Sequence, residues 1–337
     1  MLNDVFHRPL KDLRISVTDR CNFRCTYCMP LDEYEWVDRK EILTFEEITR
    51  LAGLFVRNGM EKIRLTGGEP LVREGLERLI ENLASLAGLE DISLTTNGSL
   101  LASKAPALRA AGLKRINVSL DTLDEDKFRR ITKWGDLTKV LNGLSVAREV
   151  GLDPIKINAV IQRGVNDDEI VALAEFARKN RFAIRFIEYM DVGNVNGWQL
   201  DRMVSKAEIL ETIEAYSPLK MIGRENASDT AVRYQFVDAS GDIGFIPSVT
   251  EPFCSQCARA RLTAEGKLVT CLFSQQGHDL RALLRNGATD EEIETVIRKV
   301  WSARIDRYSA ERFEAIQSGR GYRPEDHKKL EMISLGG

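Results

Sequence analysis

The chain has 337 residues, 43% hydrophobic and 29% charged, with a formal net charge of −3 and a pI near 5.9. That length supports a substantial core in one large or two unequal domains, while the mild acidity argues against general nucleic-acid binding, so affinity for an anion must come from local clustering. No apolar run approaches the roughly 20 residues of a membrane span, and residues 1–8 carry no apolar leader, which points to a reducing cytoplasm.

From residue 13 to about 190, short β-branched runs alternate with helical patterns. Strands are expected at 13–18, 62–66, 91–96, 115–120, 154–161 and 182–188, with helices at about 44–58, 75–87, 100–111, 136–150 and 166–179 between them. The first helix opens on a capping box, Thr44 and Glu47 satisfying free N–H groups. Repeated βα units predict a parallel sheet with right-handed crossovers.

These strands are not the continuous apolar runs of a sheet packed on both faces. Arg14 and Ser16, Lys62, Arg64 and Thr66, Ser93 and Thr95, Asn117 and Ser119, Lys156 and Asn158, and Arg185 all fall on alternate positions. A closed eight-stranded barrel is filled with apolar layers; six strands with polar inward faces indicate a wider, incomplete barrel holding a large polar ligand. After Met190 the pattern changes. A loop at 193–197 precedes a helix at 205–216, strands at 231–237 and 242–246, a hairpin of 258–263 with 267–273, and helical segments across 278–330.

All six cysteines lie in two triplets, Cys21/Cys25/Cys28 and Cys254/Cys257/Cys271. Three thiols form neither paired disulfides nor a closed four-cysteine site; they suit an iron–sulfur cube whose fourth iron is free to bind a small molecule. A turn at Glu265-Gly266 would bring Cys271 opposite about Ala260, beside Cys254 and Cys257. Zinc, with a carboxylate as fourth ligand, remains open for the second triplet.

The run Cys21-Asn22-Phe23-Arg24-Cys25-Thr26-Tyr27-Cys28 is similar to the signature of radical S-adenosylmethionine enzymes. Over nearly its whole length the chain resembles one family of them, the GTP 3′,8-cyclases, which catalyse the first step of molybdenum cofactor (molybdopterin) biosynthesis. Residues 12–21, 41–45, 64–70, 95–98, 117–121 and 186–190 carry the resemblance, with Arg259-Ala260-Arg261 after the second triplet and the terminal Gly336-Gly337. Lys133-Trp134-Gly135 departs from the glycine- and arginine-rich loop expected there.

The resemblance implies an incomplete (β/α)6 barrel, residues 1–190, closed by a C-terminal α+β region, residues 191–337. It implies two [4Fe-4S] clusters. The one on Cys21, Cys25 and Cys28 would bind S-adenosylmethionine, with Tyr27, Gly68, Ser119 and Met190 lining the cofactor site; Gly67 and Gly68 would let backbone approach the methionyl group. The one on Cys254, Cys257 and Cys271 would bind the guanine of GTP. Arg14, Lys62, Arg64, Thr95, Lys156, Arg185, Arg259, Ala260 and Arg261 map onto the substrate pocket, Arg259 and Arg261 as a phosphate clamp, and Arg14, Gly336 and Gly337 onto the catalytic machinery. The implied reaction removes the ribose 3′ hydrogen with a 5′-deoxyadenosyl radical and joins C3′ to C8, giving 3′,8-cyclo-7,8-dihydro-GTP. Its partners would be a flavodoxin- or ferredoxin-type electron donor, the downstream cyclic pyranopterin monophosphate synthase and a second copy in a homodimer, with no nucleic acid and no membrane. A radical enzyme acting on a peptide or another small molecule, and a metal-stabilised scaffold without catalysis, are the competing readings.

Overall fold

The computed structural model describes residues 2–31, 33–319 and 321–336. Its spine is six parallel strands in chain order: β1 Asp12–Ser16, β2 Lys62–Thr66, β3 Asp91–Thr96, β4 Arg115–Ser119, β5 Ile155–Ile161 and β6 Ala183–Glu188. The crossovers hold α1 Phe45–Arg57, α2 Leu76–Ala84, α3 Leu101–Ala110, α4 Glu125–Thr132, α5 Leu137–Glu149 and α6 Ile170–Lys179. The apolar residues of each strand, such as Leu13 and Ile15, Ile63 and Leu65, or Ile184 and Phe186, are buried together with the helices' apolar stripes in one main core. The alternation read from the sequence therefore has its expected meaning. Apolar side chains face the helices and polar ones face inward.

The C-terminal part extends this sheet at both edges. Beyond β6 come β9 (Asp242–Ile246), in parallel, then β8 (Val232–Phe236) and β7 (Leu219–Gly223), antiparallel. Beyond β1 come β10 (Arg259–Leu262), in parallel, then β11 (Lys267–Val269) and β12 (His278–Asp279), antiparallel. The result is a 12-stranded mixed sheet in which six βα units form an incomplete barrel. Helices α7 (Lys206–Tyr216), α8 (Leu280–Arg285), α9 (Asp290–Ser302), α10 (Tyr308–Gln317) and the short α11 (Met332–Leu335) complete the chain. Among the described residues no helix is long and apolar enough to cross a membrane.

Three expectations are corrected. Helix α4 and strand β7 were not anticipated: α4 is short and highly charged, with only Phe128 and Ile131 as large apolar residues on its buried face, and β7 is largely exposed, so neither carries a long apolar stripe. The second strand of the hairpin ends at Val269 rather than 273, leaving Cys271 beyond the ladder. The stretch 278–330 is not continuously helical. A strand opens it, loops separate α8, α9 and α10, and among the described residues from 318 to 330 a 3₁₀ turn at Pro324–Asp326 is the only regular element. The Thr44–Glu47 capping box forms, Glu47 N–H donating to Thr44 Oγ1 at 3.1 Å and Thr44 N–H to Glu47 Oε2 at 2.8 Å.

Glu188 joins the two parts of the chain at the end of β6. Its buried carboxylate accepts hydrogen bonds from the backbone N–H groups of Lys206 (2.9 Å), Val249 (2.8 Å) and Thr250 (2.9 Å), and from the Thr250 hydroxyl (2.5 Å). Removing it strands several buried donors at about 1–3 kcal/mol each. Glu188→Ala is expected to lower the unfolding free energy by about 2–5 kcal/mol, the upper part of that range reflecting the loss of a charged acceptor. Urea denaturation checks this; an unchanged midpoint would contradict the joining role.

Candidate functional site

The first triplet lies on the loop that leaves β1. Cys28 and Met29 N–H groups both donate to the Cys25 carbonyl, at 3.0 and 2.8 Å, which coils the loop back on itself. The unanticipated α4 supports it: Arg24 N–H donates to Thr132 O and Thr26 N–H to Ile131 O, each at 2.9 Å, and Phe23 packs edge-on against Phe128. The Gly67-Gly68 turn after β2 crosses the same loop. A Cβ on Gly67 would overlap Thr18 O, and one on Gly68 the backbone of Asp19 and Arg20. Glycine is needed here because backbone meets the backbone leading into the cysteines.

The remaining C-terminal strand ends surround this loop. Asn22 bridges to Ser99 and Asn97 beyond β3, both contacts at 2.9 Å. The Tyr27 hydroxyl donates to Asp121 beyond β4 at 2.7 Å, and Asp121 also accepts Val160 N–H of β5 at 2.8 Å. Burial, moderated by these two donors, raises the Asp121 carboxyl to about 6. Ser119 ends β4, and Met190 lies just past β6. Tyr27, Gly68, Ser119 and Met190 thus all sit at strand ends on the side of the sheet that carries the first triplet, the end where barrels of this kind place their chemistry.

The second triplet opens on a cavity of about 1120 Å³, open solvent at its mouth included. Cys254, Cys257 and Cys271 line it with Met190 and five of the predicted substrate residues: Arg14, Arg64, Arg185, Arg259 and Arg261. Register explains the convergence. Arg14 stands between Arg64 on β2 and Arg261 on β10, and Asp12 stands between Lys62 and Arg259. Lys156 and Thr95 flank Asn117 across β5 and β3, on the same inward parity, but neither they nor Lys62 line this cavity. Ala260 is fully buried in the core on the opposite face, so a ligand could meet only its backbone.

This concentration of charge depresses its own members. Burial, then repulsion from Arg261, Arg64 and Arg259, holds the Arg14 guanidinium well below its ordinary value. Burial and neighbouring arginines bring Arg185 down to about 9, Arg261 to about 10 and Lys156 to about 8. Arg14 Nε is buried with no hydrogen-bond partner. A bound polyanion would relieve both conditions.

Two arginines already have partners, which refines the expected phosphate clamp. Arg259 Nη2 donates to the Cys257 thiol at 3.3 Å. Arg261 Nη1 donates to the carbonyls of Leu335 (3.0 Å) and Gly336 (2.5 Å), so the chain end enters the barrel and rests on β10. Gly336 lies against Thr66 at the end of β2, with φ +65° and no room for a Cβ. Gly337 lies outside the described residues.

All six cysteines are free thiols. Burial, with Glu69 adding to it, pushes Cys21 up to about 11; burial reinforced by neighbouring thiols raises Cys25 well above its ordinary value and Cys28 to about 12; burial and Asp306 push Cys271 to about 12. Crowded, partly buried thiols of this kind are a soft donor set that a cationic cluster would stabilise as thiolates. Cys257 already differs: burial opposes its ionisation, but Arg259 and Arg304 outweigh it and bring the thiol down to about 6. Among the described residues no three His, Cys, Asp or Glu side chains form a group set to hold a single ion; a cube, whose thiolates each take a different iron, does not require one. Both triplets therefore fit an iron–sulfur cluster.

Arg304 and Arg8 were not picked out from the sequence, where no motif marks them. Arg304 donates to Cys257 O at 2.7 Å and to its sulfur at 3.2 Å; Arg8 donates to Cys254 O at 2.8 Å, and both pair with the buried Asp4.

Fold and site together define a class. Residues 15–177 match the family model of the Radical SAM superfamily, and residues 182–310 match that of Molybdenum Cofactor Synthesis C. The chain is 47% identical to the GTP 3′,8-cyclase of Acidothermus cellulolyticus and 45% identical to that of Xanthomonas axonopodis pv. citri, over 100% of this chain and 99% of each relative. Identity to the Staphylococcus epidermidis GTP 3′,8-cyclase is 42% over the same shares. The chain belongs to the GTP 3′,8-cyclase family. Among solved structures, Streptococcus suis SuiB bound to S-adenosylmethionine shares the fold, with a TM-score of 0.64 over 97% of this chain and 78% of that one at 16% identity.

In the cluster-free protein, pH-dependent alkylation should find Cys257 ionising near 6. Arg304→Met should move that midpoint upward, since removing a cation leaves burial less opposed. A midpoint that stays near 6 in the variant would contradict the role given to Arg304.

Proposed function

We propose that this chain is itself a GTP 3′,8-cyclase, converting GTP to 3′,8-cyclo-7,8-dihydro-GTP in the first step of molybdenum cofactor biosynthesis. The observation that carries the reading is one cavity presenting both the second cysteine triplet and seven arginines, Arg8, Arg14, Arg64, Arg185, Arg259, Arg261 and Arg304, in a chain of net negative charge. A guanine nucleotide offers a base to the one and a triphosphate to the other. A peptide substrate gives no comparable reason for so much buried positive charge.

In this reading residues 1–190 hold the first [4Fe-4S] cluster on Cys21, Cys25 and Cys28, with Tyr27, Gly68, Ser119 and Met190 around S-adenosylmethionine. Residues 191–337 supply the second on Cys254, Cys257 and Cys271. A reduced cluster held on Cys21, Cys25 and Cys28 would supply the electron for the reductive cleavage of S-adenosylmethionine. The chain's own residues position the nucleotide and exclude water. Arg14, Arg64, Arg185 and Arg259 hold the triphosphate and base, with the Ala260 backbone beside them on β10, while Lys62, Thr95 and Lys156 share the inward parity but stand outside the cavity lining. Arg261 holds the tail as well as facing the cavity, which places Gly336 near the strand ends where the ribose would react. Fixing both ends of the substrate favours the near-attack geometry that joining C3′ to C8 requires. The same reading assigns a flavodoxin- or ferredoxin-type donor, the downstream cyclic pyranopterin monophosphate synthase, a homodimer and a reducing cytoplasm.

The two triplets should be separable by mutation. Cys21→Ala, Cys25→Ala or Cys28→Ala should abolish 5′-deoxyadenosine formation. Cys254→Ala, Cys257→Ala or Cys271→Ala should cost about four of about eight irons and stop cyclisation of GTP while slow cleavage of S-adenosylmethionine persists. Anaerobic iron analysis and mass spectrometry of both products check this; zinc in the second site, or normal cyclisation by any variant, would contradict it.

A further inference from the structure

The carboxylate of Asp191, one residue past Met190, is 1% exposed and accepts from four groups. They are the hydroxyls of Tyr308 (2.5 Å) and Tyr322, the Arg312 guanidinium and the Lys329 ammonium (2.8 Å). Lys329 also donates to the Asp191 backbone carbonyl at 2.9 Å. Burying an ammonium is costly unless it is paired and hydrogen-bonded. Lys329 meets that condition only while its stretch of chain lies against the end of β6.

That stretch leads to the tail. Asn194 brackets Lys329, accepting its N–H at 2.9 Å and donating to its carbonyl at 2.6 Å, and Leu330 N–H donates to Ser274 O at 2.9 Å. After α11, Arg261 takes the carbonyls of Leu335 and Gly336. The last residues are in no strand ladder, and α11 spans only Met332–Leu335. Lys329 on Asp191 and Gly336 on Arg261 hold the two ends of this stretch; between them the Glu331 carboxylate accepts from Asn194 N–H at 3.3 Å and Nδ2 at 2.7 Å, and Ile333 and Leu335 are buried.

We propose that the Asp191–Lys329 pair is a positioning latch, which fixes where Gly336 stands and ties the tail to the strand end that carries Met190. Lys329 acts through the tail and touches no reacting atom. The inference rests on the tail's role in the proposed cyclisation, but its structural half can be tested without that role.

The test uses the full chain with reconstituted clusters, comparing wild type with Lys329→Met, which keeps the length of the side chain without its charge, and Lys329→Arg, which keeps the charge. Hydrogen exchange should show the amides of residues 332–336 exchanging at least tenfold faster in Lys329→Met, with β1 to β6 unchanged. Cyclised product formed per S-adenosylmethionine cleaved should fall at least tenfold while KM for GTP stays within about twofold. Lys329→Arg should recover much of the coupling, which a loss of packing alone would not explain. If Lys329→Met does not fold, Asn194→Ala loosens the same segment from the exposed side and should speed tail exchange in the same direction. Unchanged exchange at 332–336 in a folded variant, or unchanged coupling with faster exchange, would overturn the latch. Absence of cyclised product from the wild type would instead overturn the proposed function and leave the exchange result to judge the latch.

Discussion

The parallel pairing of β10 with β1 brings residues from opposite ends of the chain onto one face. It sets Arg259 beside Asp12 and Arg261 beside Arg14. Because a parallel ladder keeps side-chain parity, the inward residues of β10 continue the inward row of β1 and β2. Cys257 lies two residues before β10 and Cys271 two residues beyond β11, so the ladder also delivers the second triplet to the cavity mouth. A register slip of one residue would turn Arg259 and Arg261 into the apolar core and Ala260 into the cavity.

Electrostatics follow from that placement. Arg14, Arg64 and Arg261 stand side by side across β1, β2 and β10, and loss of solvent together with repulsion from neighbouring arginines, Arg259 acting on all three, lowers the pKa of each. Such a group is costly in the empty protein and becomes favourable when a polyanion enters, which is how a chain of net charge −3 can select one. Around the second triplet the logic is similar at smaller scale: the buried Asp4, Arg8 and Arg304 and the partly exposed Asp306 form a shell of ion pairs, and the arginines beside Cys257 bring its thiol down to about 6. Around the first triplet no arginine comparably offsets burial, and its thiols stay protonated until a cluster takes them.

Much of this was legible before any coordinates. Repeated βα units identified the parallel sheet, and strict alternation along six strands identified its polar interior, because both patterns are local properties of the chain. The cysteine spacings, the Gly67-Gly68 turn and the Arg259/Arg261 parity were legible for the same reason. What the sequence concealed depends on contacts between distant residues. Nothing local says that Arg304 will meet Cys257, that Arg261 will be shared with the tail, or that Lys329 will be buried on Asp191. Helix α4 escaped because its charge masks a two-residue apolar face, although it is the support on which the first cysteine loop rests. Gly67 and Gly68 were correctly singled out as a close approach, but the backbone they admit is that of Thr18 to Arg20.

The central claim is that the barrel holds GTP with its ribose facing the strand ends that carry the first triplet. It is tested most directly with GTP deuterated at the ribose 3′ carbon, incubated anaerobically with S-adenosylmethionine, a strong reductant and the reconstituted protein. The expected products are 5′-deoxyadenosine carrying one deuterium and a cyclised nucleotide that has lost it. Unlabelled 5′-deoxyadenosine with GTP returned intact would contradict the account.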